Sequence, residues 1–340
     1  LSYFPRQDYS SSIEIFRKFQ TDFADSTLKV QSIYLLGSSL FNLGRYGEAI
    51  EVFKDILRMP GADAELAQKA EYEIADCLFQ MGNEKEAVER FKALRSKYPD
   101  SSLTAEIIWW LGEYYYRRND LVFARRYFLS LIRDFPKSNL VADAYYILGS
   151  SFEEESRYDE AIDNFKKVIE MGKSDLAAQA RMGIAGIYAK QDKYGLAFDM
   201  YQAALKEYPY LAALILPKIA ELYYSLSKFD EAIDYYRKAL DVVPIRQMPS
   251  IQFRLAEVFQ AQNLDMKKTI EEYLKVTYLY SDNPQLAVKA LLRVAQIYED
   301  SGEFKEAERI YEKIISMNVE EGKFAQERID WINSHTKEGG

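Results

Sequence analysis

"YLLGSSLFNLGRYGEAIEVFKDIL" occupies residues 34–57, and "YILGSSFEEESRYDEAIDNFKKVI" occupies residues 146–169. Each has a small residue in fourth place, Gly37 or Gly149, followed three positions later by a large apolar one, Leu40 or Phe152. Twelve positions after the first small residue comes a second, Ala49 or Ala161, and four further on an aromatic, Phe53 or Phe165. Working outward, the first pair recurs as Ala75/Leu78, Gly112/Tyr115, Ala185/Tyr188, Ala220/Tyr223, Ala256/Phe259 and Ala295/Tyr298. The second small residue recurs as Ala87, Ala124, Ala197, Ala232 and Ala307, with Thr269 after one inserted residue in the seventh copy. The aromatic recurs as Phe91, Phe128, Tyr201, Tyr236, Tyr273 and Tyr311.

Apolar residues at i, i+3, i+4 and i+7 mark one face of a helix. Each copy holds two such stretches parted by a polar turn such as "NLGRY", "QMGNE" or "EDSGEF". The spacing therefore predicts helix hairpins. Small residues belong where two backbones approach most closely, and the aromatics fill the volume beside that contact. One hairpin cannot bury both faces, so neighbours must stack.

Between hairpins the chain reads "YPDSSL" at 98–103 and "FPKSNL" at 135–140. Pro99 and Pro136 are expected to stop the preceding helix, since proline cannot continue it and biases its predecessor away from helix. Ser101, Ser138 or Asn139 is then expected to cap the next one. Tyr98, Phe135 and Tyr208 are expected to tuck under the hairpin that follows.

The 340 residues are 48% hydrophobic and 29% charged, a balance that supports packed structure rather than disorder. The 27 Tyr and 19 Phe need somewhere to pack, and 15 Gly and 9 Pro leave room for long helices. A net charge of −9 disfavours nucleic acid and anionic lipid as partners. No apolar run approaches the roughly 20 residues of a bilayer span. Cys77 is the only cysteine and His335 the only histidine, so neither an intrachain disulfide nor a histidine-based triad is available. No metal-ligand spacing appears. "GIAG" at 183–186 reads as close helix packing, and "EEES" at 153–156 as a solvated helix end. The expectation is a protein that is not an enzyme and uses no cofactor.

The order small, large, small, aromatic across nearly the whole chain resembles the tetratricopeptide-repeat (TPR) family. Residues 34–57 and 146–169 carry that resemblance most clearly. The family's tryptophan at the fourth position of the first helix is absent, and the copies are longer than its usual period, with the extra residues between repeats. The resemblance implies an all-α fold, a right-handed α-solenoid of antiparallel helix hairpins. Eight tandem hairpins are expected over 29–319, a capping helix over 320–335 and a frayed tail at 336–340. Residues 1–28 read as the second helix of a truncated repeat, with Ser12 in the small position and Phe16 in the aromatic one. The capping helix is expected to present Phe324, Ile329 and Trp331 on or near one face. The "[FY]-P-x-S" junctions are further similar to bacterial cell-envelope TPR proteins of the outer-membrane assembly lipoprotein and Tol-Pal accessory groups.

In that family the first helices line the concave face, which implies a groove contributed six and three positions before each small residue and one, four and five after it. Those positions hold Tyr72, Asp76, Phe79, Trp109, Glu113, Tyr116, Asp143, Tyr146 and Glu153, an aromatic and acidic set. Aromatics there also serve plain packing. As a cluster they combine anchoring area with charge selectivity. The expected partner is a protein or peptide segment with apolar and basic residues, not a small-molecule substrate or nucleic acid. Carboxylates at the positions of Asp76, Glu113, Glu221 and Glu257 disfavour the chaperone-tail clamp of some TPR domains. The expected setting is periplasmic or outer-membrane-associated, with membrane contact only through a removed anchor, if any. The alternatives are a cytoplasmic adaptor and a structural protein self-assembling through its solenoid ends.

Overall fold

The computed structural model describes residues 8–23, 26–59, 63–172, 174–280 and 283–336. Residues 1–7 of the expected N-terminal half-repeat and 337–340 of the expected frayed tail lie outside the described residues. The chain is an all-α solenoid of helix hairpins, and no strand occurs among the described residues. It divides into two units, residues 1–171 and 172–340.

The first unit holds α1 (Tyr9–Asp22), then four hairpins: α2 (Lys29–Asn42) with α3 (Tyr46–Arg58), α4 (Ala64–Gln80) with α5 (Glu84–Lys97), α6 (Ser102–Arg117) with α7 (Leu121–Asp134), and α8 (Val141–Glu154) with α9 (Tyr158–Glu170). Ser12 and Phe16 of α1 are buried, in the small and aromatic positions. Within this unit the first helices also touch one another, α2 against α4 and α4 against α6. They form an inner row.

The second unit holds α10 (Asp175–Lys190) with α11 (Tyr194–Glu207), α12 (Ala212–Ser225) with α13 (Phe229–Leu240), α14 (Met248–Gln262) with α15 (Met266–Leu279), α16 (Pro284–Asp300) with α17 (Phe304–Ser316), and finally α18 (Gly322–Thr336). A 3-10 turn, Pro209–Leu211, precedes α12.

The repeat's small residues sit where the sequence requires them. All the second small alanines have no exposed surface, and the partnering aromatics from Phe53 to Tyr311 are buried. A Cβ built on Gly37, Gly112 or Gly149 would lie 2.6, 2.7 and 2.7 Å from the rings of Phe53, Phe128 and Phe165. These glycines admit the ring against bare backbone.

The turns inside the hairpins share one geometry. The seventh residue after each first small residue is left-handed: Gly44, Gly82, Asn119, Ser156, Asp192, Ser227, Asn263 and Gly302. In all but the Asn263 turn, the next residue's N–H donates back to the carbonyl of the large apolar residue, as in Arg45 to Leu40 and Arg157 to Phe152, at 2.9 and 2.8 Å. That closes a Schellman-type end to the first helix. In the seventh copy the inserted residue falls after Asn263, so α15 starts one position late and Thr269 takes the buried small site.

At the junctions, α5 and α7 end at Tyr98 and Phe135, immediately before Pro99 and Pro136. Ser101 caps α6, accepting from the Leu103 N–H at 3.3 Å. The cap of α8 is Leu140 instead, because Ser138 spends its hydroxyl oxygen on the Leu140 N–H within the turn, at 3.2 Å. Tyr98 and Phe135 pack against the next first helix as expected.

The last helix corrects one expectation. α18 buries Ala325, Ile329 and Ile332, which fall three and four apart. Phe324 and Trp331 are 49% and 40% exposed, because they occupy a neighbouring stripe and only flank the packed face.

Candidate functional site

The candidate set lies on α4, α6 and α8, the inner row of the first unit. All nine residues are half-buried, with part of each side chain against the hairpin and part open. Hairpin packing explains three of them. Tyr72 lies edge-on to Phe91 with ring centroids 5.2 Å apart, Trp109 lies 5.3 Å from Phe128, and Tyr146 lies 5.5 Å from Phe165. Tyr34 on Phe53 repeats the arrangement in the first hairpin. The aromatic three before each small residue thus props the ring that covers it and leaves the rest of its surface to the inner face.

Two neighbourhoods emerge. The first centres on Tyr72, whose hydroxyl sits in the field of Asp76, Glu106, Glu73 and Glu113. Burial, reinforced by these carboxylates, raises its pKa well above the ordinary tyrosine value. Asp76 is also held above the usual carboxylate value, mainly by burial, against a hydrogen bond from Gln80 at 3.4 Å. Glu73 is raised mainly by burial, although the Tyr34 hydroxyl donates to it at 2.8 Å and partly offsets the effect. Among the described residues no Lys or Arg pairs with Glu73, Asp76 or Glu106, while Arg117 reaches Glu113 at 3.6 Å.

The second neighbourhood joins α6 to α8. The Tyr116 hydroxyl donates to Glu154, with Tyr146 and Glu153 contributing to its field. Burial is the largest cause of its raised pKa. Phe79 turns toward Trp110 and Tyr114, with ring centroids 5.0 and 6.2 Å away. Asp143 is half-buried on α8, outside both groupings.

Sequence reasoning missed Glu73 and Trp110, both two positions before a small residue. Trp110 packs on Phe91 at 4.2 Å and so connects the second and third hairpins. A signal existed: that position is Glu73, Lys218, Arg254 and Arg293 in four copies, too often charged for a purely packed site.

Cys77 is fully buried, and burial, with Glu73 and Asp76 adding to it, pushes its thiol up to about 12. It stays protonated and unreactive. No cluster of metal-ligating side chains occurs among the described residues, and no described helix is long and apolar enough to cross a membrane.

Comparison with known families matches this geometry. Tetratricopeptide-repeat models match residues 146–212 and, in a second form, 30–63 and 218–244. The chain carries tetratricopeptide repeats over these residues. An outer membrane lipoprotein model matches residues 64–168 of this TPR chain, and a soluble NSF attachment protein model matches 244–325. Among solved structures, the C-terminal part of a TPR repeat-containing protein from Cytophaga hutchinsonii aligns with a TM-score of 0.56 at 18% identity, over 72% of this chain and 93% of that one. A TPR protein from Parabacteroides merdae aligns at 0.50 and 16% identity, over 77% and 98%. At such identities the likeness is one of fold. A search of the curated proteins gave no match. The TPR repeats make the chain a protein-interaction scaffold.

Proposed function

We propose that the chain is a non-enzymatic scaffold of a bacterial cell envelope whose first unit grips a partner segment carrying apolar and basic residues. One observation carries this reading: Glu73, Asp76 and Glu106 gather around Tyr72 with no cation to neutralise them among the described residues. The outer helices are different. There Glu48, Glu51, Glu86 and Glu160 each pair with an Arg or Lys three or four residues away. Unpaired carboxylates beside aromatic surface, Glu73 and Asp76 half-buried and Glu106 exposed, favour an incoming Lys or Arg together with an apolar side chain.

The envelope setting draws support from the outer membrane lipoprotein match, whose span of 64–168 contains all nine candidate residues. An antibody against the chain, applied to fractionated source cells, tests that part: recovery with the envelope supports it, and recovery with the cytosol overturns it.

For the groove, the discriminating variant leaves packing intact. Trp109→Ala with Tyr146→Ala also strips support from Phe128 and Phe165, so Asp76→Asn with Glu106→Gln is cleaner. We expect the carboxylate variant to weaken a Lys/Arg-and-Phe peptide by roughly tenfold without lowering the thermal transition. Unchanged affinity removes this face as the site.

A further inference from the structure

The inner row changes character in the second unit. Three positions before the small residue, the first unit carries Tyr34, Tyr72, Trp109 and Tyr146, whereas the second carries Met182, Pro217, Phe253 and Leu292. One position closer, Glu73 gives way to Lys218, Arg254 and Arg293. A cleft of about 800 Å³ lies at the far end of the second unit, shared by α14, α16 and α18, with Tyr311 of α17 in its wall.

Its walls are apolar at Phe253, Leu292 and the half-exposed Phe324. Its charges fall into two groups. Arg328 is engaged by Glu299 through both guanidinium arms, and Glu257 is engaged by Arg254 at 2.8 Å. Lys289 and Arg293 are exposed, line the cleft and have no ion pair among the described residues. Asp300 is the lone unpaired acid, at the end of α16. Glu257 and Glu299 are thus engaged, and among the unpaired charges Lys289 and Arg293 outnumber Asp300 beside hydrophobic surface.

We propose that this cleft is a second docking site, taking a peptide segment in which Asp or Glu side chains flank an aromatic or aliphatic residue. Lys289 and Arg293 stand one helical turn apart, with Cβ atoms about 6 Å from each other. Alternate side chains of an extended segment repeat at roughly 6–7 Å, so two acidic side chains meet the two cations while the intervening residues span the gap. The volume falls within the roughly 300–1,000 Å³ typical of ligand clefts. The site is independent of the acidic face on α4, α6 and α8, and its charge preference is the reverse.

The test uses the full chain and an amidated, fluorescein-labelled peptide, Asp-Glu-Phe-Asp-Glu-Leu-Asp-Glu, followed by fluorescence anisotropy. We expect saturable, salt-sensitive binding that weakens roughly tenfold or more in Lys289→Gln/Arg293→Gln. Charge reversal, Lys289→Glu/Arg293→Glu, should abolish it. Asp76→Asn/Glu106→Gln should leave it unchanged, which separates failure here from failure of the first-unit groove. The glutamine pair decides the matter if circular dichroism finds the reversed variant unfolded. No saturation, equal binding of the Lys/Arg counterpart peptide, indifference to the glutamine pair, or a requirement for a free C-terminal carboxylate would each overturn the proposal.

Discussion

At the scale of single residues, two positions in each repeat bear most of the steric constraint. Gly112 has no room for a methyl group, because the Phe128 ring already occupies it. Gly112→Ala should therefore destabilise the first unit by about 1–3 kcal/mol, the usual cost of overpacking, measurable by urea denaturation. Ser156 and Ser227 are the opposite case: both hold a left-handed backbone that suits glycine. Ser227→Gly should stabilise by up to about 1 kcal/mol, read from the same kind of curve. The carboxyls of Glu73 and Asp76 supply a pH signature. Burial raises both above their ordinary values, so the folded state binds these protons more tightly than the unfolded chain. Their contribution to stability therefore increases as pH falls from neutral through the folded pKa values. Glu73→Gln keeps an acceptor for the Tyr34 hydroxyl and removes the buried charge. It should flatten that part of the stability–pH curve, and an unaltered slope would show that Glu73 is not the source. Acidification should also weaken a basic peptide, because the protonated carboxyls no longer attract it.

At the scale of elements, much was legible because the repeat encodes each contact twice, once by spacing and once by residue size. The hairpin helices, the junction prolines and the insertion at Thr269 all follow from that periodicity. What stayed hidden depends on direction around a helix. Phe324 and Trp331 look like natural core residues by size, yet Ala325, Ile329 and Ile332 face α17, since a rotation of 100° per residue decides burial. Glu73 and Trp110 escaped notice for a similar reason, being one position from the face taken as the groove. Solenoid contacts run mainly between neighbours, so damage should stay local. Ile329→Ala with Ile332→Ala should cost roughly 2–5 kcal/mol per site. Hydrogen exchange should rise in α16 to α18 while α2 to α9 keep their protection. Loss of protection throughout both units would contradict a nearest-neighbour solenoid.

At the scale of the molecule, one fold presents two chemically distinct inner faces, acidic and aromatic in the first unit, basic beside aliphatic surface at the end of the second. The repeat specifies the stacking of hairpins and leaves the inner-row positions free to differ, which is why the fold could be read from the sequence while a partner's identity could not. The central claim is that the first-unit face binds a cationic segment through its unpaired carboxylates. It is tested most directly by titrating an amidated Lys-Arg-Phe-Lys-Arg-Leu-Lys-Arg peptide into the full chain and into Asp76→Asn/Glu106→Gln by calorimetry. The account predicts saturable binding that weakens roughly tenfold in the variant; identical affinity in the two proteins, or none in either, would contradict it.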